Sequence, residues 1–122
     1  MAKILVVDDE TLIRNSVTAV LKLNGHETIE ADNGITALDM IKLHSPQLII
    51  SDVVMANMNG FMLREFLLKD QLTARIPMII MSGVANKAGA WESDPLVDYI
   101  SKPFTIVELM SLVNSKLQAS VD

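Results

Sequence analysis

With 122 residues, half of them apolar and 20% charged, the chain carries enough apolar surface for one self-supporting core and lacks the length for two. Ten basic against fifteen acidic residues leave a net charge of −5, which repels phosphate backbones and argues against direct nucleic-acid binding. The absence of cysteine excludes disulfides, thiol catalysis and thiolate metal sites, and with only two histidines any metal must be hard and oxygen-bound.

Short β-branched apolar runs alternate with longer segments of helical period, the pattern of parallel strands joined by crossover helices. A first strand is expected over 3–8 and a helix over 10–23, with Ile13, Val17, Val20 and Leu21 on one stripe and Asn24-Gly25 as its stop. Residues 26–31 read as the second strand, 35–44 as the second helix ending before Ser45-Pro46, and 47–52 as the third strand. The third helix, over 61–70, is expected to bury Met62, Leu63, Phe66 and Leu67. A fourth strand over 77–82 precedes an irregular stretch, where Gly89 and Pro95 leave room only for a short helix around 84–91. The fifth strand is 97–101, and the last helix, 105–119, sets Ile106, Leu109, Met110, Val113 and Leu117 at helical spacing. Thr105 is its N-cap, with Glu108 three residues on as the reciprocal partner. The longest apolar runs are four residues, far below the ~20 of a membrane span, and the apolar run after Lys3 has neither the length nor the small-residue cleavage site of a secretory signal. A cytoplasmic protein without a membrane span is expected.

A central parallel strand is covered on both faces and so reads as continuously apolar, which describes Ile4 to Val7, Leu48 to Ile50 and Met78 to Met81. The strands around Thr28 and Tyr99 mix in polar residues, as edges do. With right-handed crossovers this gives a doubly wound, flavodoxin-like α/β fold of five parallel strands in the order 2-1-3-4-5, with a shortened or irregular fourth helix, over a single domain spanning 1–122. Ligands of such sheets bind beyond the carboxyl ends of the strands where the winding reverses, here between the first and third strands.

The residues following the strands at that edge are Asp8-Asp9, Asp52, Ser82 and Lys102. Crowded carboxylates repel each other unless a proton or cation neutralises them, and an all-oxygen donor set favours Mg²⁺. A carboxylate beside such a metal can attack phosphorus, while an ammonium and a hydroxyl stabilise the equatorial oxygens. Taken singly, each residue has a blander use, as a helix cap, a turn residue or a solvated charge. Four strands delivering chemically matched side chains to one edge overturn that reading.

These residues, with Val53-Val54-Met55-Ala56-Asn57-Met58-Asn59-Gly60 after Asp52, Gly83 after Ser82 and Pro103-Phe104 after Lys102, make the chain resemble the receiver domains of two-component response regulators over essentially its whole length. The resemblance implies that Asp52 accepts a phosphoryl group from a histidine kinase or phosphotransfer protein. It implies Mg²⁺ held by Asp52, Asp9 and the Val54 carbonyl, with Asp8 acting mainly through water. It further implies that Lys102, aimed by a cis Lys102-Pro103 bond, contacts the acyl phosphate, and that Ser82 and Tyr99 form the switch. Val54 and Val84 flank the path of the hydrolytic water in such proteins, and two apolar side chains there favour a long-lived signal.

Three departures from the family pattern stand out. Ala56 replaces a proline, which should loosen metal binding somewhat, Pro95-Leu96 replaces Gly-Ala ahead of the fifth strand, and the segment from Ser82 to Lys102 is slightly short. Trp91 in that segment reads as a core plug or, alternatively, an exposed partner anchor, and the eight methionines as core filler in preference to a promiscuous binding surface. The resulting expectation is a binding switch that catalyses only its own phosphorylation and dephosphorylation. An output domain beyond this chain and a homodimer are both compatible with it. The rival readings are a Mg²⁺-dependent phosphohydrolase using Asp52 and a pseudo-receiver that works without phosphate.

Overall fold

Hydrogen-bonded ladders join β1 (Lys3–Val7), β2 (Glu27–Ala31), β3 (Leu48–Asp52), β4 (Met78–Ser82) and β5 (Val97–Ser101) into one all-parallel sheet of order β2-β1-β3-β4-β5. The computed structural model describes residues 2–53, 59–82 and 96–121, the last three by their backbone alone. The expected order is therefore the observed one, and each strand lies within one residue of its expected ends. β3 and β4 are buried along their whole length, while β2 and β5 take the edges and alternate with partly exposed residues.

Because side chains alternate across a strand, the sheet builds two cores. On one face Leu5, Val7, Ile49 and Ile80 meet Ala37 and Ile41 of α2 (Gly34–His44) and Leu63 and Leu67 of α3 (Gly60–Leu68). On the other, Ile4, Val6, Ile50 and Met81 meet Val17 and Leu21 of α1 (Thr11–Leu23) and Leu109 and Val113 of α5 (Ile106–Val121). Helices after β1 and β3 thus cover opposite faces, and the winding reverses between those two strands. Among the described residues no helix is long and apolar enough to cross a membrane.

The helix ends follow their local chemistry. Gly25 takes a φ of 85°, and the Gly25 and His26 N–H groups donate to the Lys22 and Leu21 carbonyls, closing α1 with a Schellman motif. Thr105 Oγ1 accepts the Glu108 N–H at 3.0 Å while Glu108 Oε1 accepts the Thr105 N–H at 2.8 Å, the reciprocal cap expected of α5.

Two expectations about packing fail. Met62 and Phe66 of α3 are 44% and 42% exposed, because only the stripe of α3 containing Leu63 and Leu67 faces the sheet. Ile106, the first residue of α5, is exposed as well, although it shares the helical spacing of the buried Leu109 and Val113. In their place Arg64 is buried, its guanidinium donating to the Ile76 and Ala74 carbonyls at 2.9 and 3.3 Å. Those carbonyls lie at the end of, and two residues after, a short helical turn, α4 (Gln71–Ala74), which periodicity alone does not reveal. The expected helix around 84–91, together with Val54, Ala56, Val84, Trp91 and Pro95, lies outside the described residues.

Candidate functional site

Asp8 follows the last residue of β1 and is fully buried, its N–H tied to the Ala31 carbonyl at 3.1 Å. Asp52 closes β3 and is 7% exposed, its Oδ1 accepting the Val53 N–H at 2.9 Å. Ser82 closes β4 and is buried, and its carbonyl accepts the Lys102 N–H at 2.7 Å. That bond anchors the turn after β5 from which Lys102 reaches the acids. Its Nζ lies 3.2 Å from Asp52 Oδ1 and 3.7 Å from Asp8 Oδ2. The Lys102-Pro103 peptide is cis.

Two features after β3 hold the acidic edge in place. Asn59 caps α3, accepting the Met62 N–H at 2.8 Å, and the Gly60 N–H donates to the Val53 carbonyl at 2.9 Å. A Cβ on Gly60 would stand 2.9 Å from the Asp52 carbonyl oxygen, so only glycine lets α3 start this close to the strand end.

Burial pushes the Asp8 carboxyl above its ordinary pKa; the Asp52 and Asp9 charges add to this, while the Glu10 N–H and Lys102 oppose it. Asp8 Oδ1 accepts that Glu10 N–H at 2.8 Å, whereas Oδ2 is buried with no hydrogen-bond partner among the described residues. Carboxylate oxygens of Asp8, Glu10 and Asp52 lie within 4.8 Å of one another. A buried oxygen lacking a donor, inside a hard all-oxygen cluster, is the donor set that Mg²⁺ favours, so the residues present fit that ion.

The structure therefore brings together Asp8, Asp52 and Lys102, with Ser82 on the same strand edge. Asp9 is exposed and is not among the three clustered carboxylates. Tyr99, in β5, packs its ring 6.3 Å from that of Phe61, with the hydroxyl oxygen already shielded from solvent. Val54, expected to offer a carbonyl to the metal, lies outside the described residues. Glu10 was missed by the sequence reading; the available signal was a third consecutive acid, in the run Asp8-Asp9-Glu10.

Residues 4–114 match the family model described as "Response regulator receiver domain". The chain belongs to the response regulator receiver domain family. It is 32% identical to Protein PilH of Pseudomonas aeruginosa over 119 residues, covering 96% of this chain and 98% of that protein. The phosphate regulon transcriptional regulatory protein PhoB of the same organism is 35% identical over 118 residues, 94% of this chain, but the chain spans only 51% of PhoB's length. Among solved structures, chemotaxis response regulator CheY4 of Vibrio cholerae superposes with a TM-score of 0.89 at 28% identity, covering 96% of this chain and 99% of that one. As a receiver domain, the protein is a phosphorylation-activated switch of two-component signalling. Members of this receiver family act as signalling switches, not as conventional enzymes.

Proposed function

We propose that Asp52 is the phosphoacceptor of this receiver and that residues 1–122 form one signalling domain. The observation that carries this is the Lys102 ammonium bridging Asp52 and Asp8 at the carboxyl edge of the sheet. Asp52 sits at the mouth of that edge with one carboxylate oxygen paired to Lys102 and slight exposure to solvent. An Asp52 oxygen forms a bond to the phosphorus of a phosphohistidine as the phosphorus–nitrogen bond breaks, the ring nitrogen keeping the electron pair. Lys102 balances charge on the transferred phosphoryl oxygens, and Ser82, buried at the end of β4, hydrogen-bonds the product and relays its presence to Tyr99.

Asp8, Asp9, Asp52 and the Val54 carbonyl would hold Mg²⁺, which when bound neutralises the phosphoryl oxygens. The domain catalyses only its own phosphorylation and dephosphorylation. Its donor is a histidine kinase or phosphotransfer protein in the cytoplasm, and its output is a partner protein or a domain attached beyond this chain. The test is incubation with acetyl phosphate and Mg²⁺ followed by mass spectrometry. One phosphoryl group should be added, and Asp52→Asn should abolish it. Full labelling of that variant would defeat the assignment, and steady turnover of small phosphate esters would point instead to a phosphohydrolase.

A further inference from the structure

Glu10 occupies the N-cap position of α1, where a side-chain oxygen ordinarily accepts a backbone N–H of the first turn. It makes no such bond. Its other ordinary use would be an ion pair with Arg14, one turn along the helix. That guanidinium is engaged elsewhere, with Nε 3.0 Å from Glu30 Oε1 and Nη1 2.6 Å from the Asp8 carbonyl oxygen. Relieved of both uses, the Glu10 carboxylate lies in the cluster with Asp8 and Asp52. Its backbone is fixed there by the N–H bond to Asp8 Oδ1.

A second observation points to a ligand independently. Asp8 Oδ2 is fully buried with no hydrogen-bond partner among the described residues, and it faces the same Lys102 ammonium that meets Asp52, so it is turned into the cluster. Three carboxylates against one ammonium leave an excess of two negative charges at one point on the sheet edge.

We propose that Glu10 is an additional cation-holding residue of this receiver, raising its affinity for a divalent metal above what the acids of the expected set supply. The inference rests on the reading of this edge as the magnesium site. Glu10 is exposed, so its effect is mainly electrostatic and screened by salt.

Calorimetric titration of Mg²⁺ into the wild-type protein and into Glu10→Gln, Asp8→Asn and Asp52→Asn tests it. Glu10→Gln keeps the length of the side chain and the backbone N–H. It should raise the Mg²⁺ dissociation constant about threefold to tenfold at low salt, with the difference shrinking at high salt. Its melting temperature in EDTA should be unchanged or higher, since three repelling carboxylates become two. Wild-type affinity in Glu10→Gln, alongside loss of binding in Asp8→Asn and Asp52→Asn, would overturn the role of Glu10 alone. Unchanged binding in all three would overturn the magnesium site itself. Weaker binding accompanied by a lower melting temperature in EDTA would make Glu10 a structural residue and would also overturn the proposal.

Discussion

The ammonium of Lys102 stands 3.2 Å from Asp52 although a whole strand, β4, separates the strands that carry the two residues. The reach is possible because both side chains leave the carboxyl edge, where β4 ends at Ser82 and its carbonyl anchors the Lys102 backbone. The charge of Lys102 is therefore shared between Asp52 and Asp8, and any divalent cation must compete with it for those oxygens.

This competition predicts opposite effects of Lys102→Met on binding and on chemistry. With the ammonium gone, Mg²⁺ should bind more tightly by about threefold to tenfold, because a repelling charge next to the site is lost. Phosphorylation by acetyl phosphate should nonetheless slow by about tenfold or more, because the charge that balances the phosphoryl oxygens is lost too. Metal titration and phosphorylation kinetics on the same preparation check both signs. Weaker metal binding in the variant would show that Lys102 does not compete for these carboxylates.

Asp8 sets a pH dependence whose sign follows from its raised pKa. A carboxyl raised in the folded state adds stability that is fully present below its ordinary value of 3.8 and is lost as pH rises through the folded value. At neutral pH the ionised group therefore weighs against the metal-free fold. Asp8→Asn keeps an oxygen to accept the Glu10 N–H. In EDTA near neutral pH it should melt about 3–6 °C above wild type, the shift that roughly 1 kcal/mol gives a domain of this size. The gap should close as the buffer approaches pH 4, and Mg²⁺ should raise the melting temperature of wild type far more than that of the variant. A variant less stable than wild type at neutral pH would refute this account of the buried acid.

Gly60 and Gly25 offer a paired test of what close approach does at the site. Alanine at Gly60 places a methyl 2.9 Å from the Asp52 carbonyl oxygen, so the strand end or α3 must shift, at a cost of about 1–3 kcal/mol. Alanine at Gly25 meets no atom within 4 Å but must adopt a φ of +85°, costing about 1–2 kcal/mol far from the acids. Urea unfolding should show both losses, while only Gly60→Ala should slow phosphorylation of Asp52. Equal phosphorylation rates in the two variants would mean that the Asp52 backbone tolerates the shift.

Much of this molecule is legible from the chain alone, because local chemistry decides it. Apolar runs of three or four residues at Ile4 to Val7, Leu48 to Ile50 and Met78 to Met81 mark the strands that need cover on both faces, Asn24-Gly25 and Thr105 with Glu108 mark helix ends, and the acids, Ser82 and Lys102 stand where strands stop. Other features needed the tertiary structure, because each turns on a choice between partners distant in sequence. Met62 and Phe66 are as apolar as Leu63 and Leu67, and only the docking of α3 on the sheet decides which pair is buried. Arg64 reads as a surface charge until carbonyls ten and twelve residues away take its guanidinium. Glu10 stands one turn before Arg14, the spacing of an ordinary helical ion pair. It is left to the cation site because β2 lies beside β1 and brings Glu30 to that guanidinium first, a contact across 16 residues that helical periodicity cannot encode.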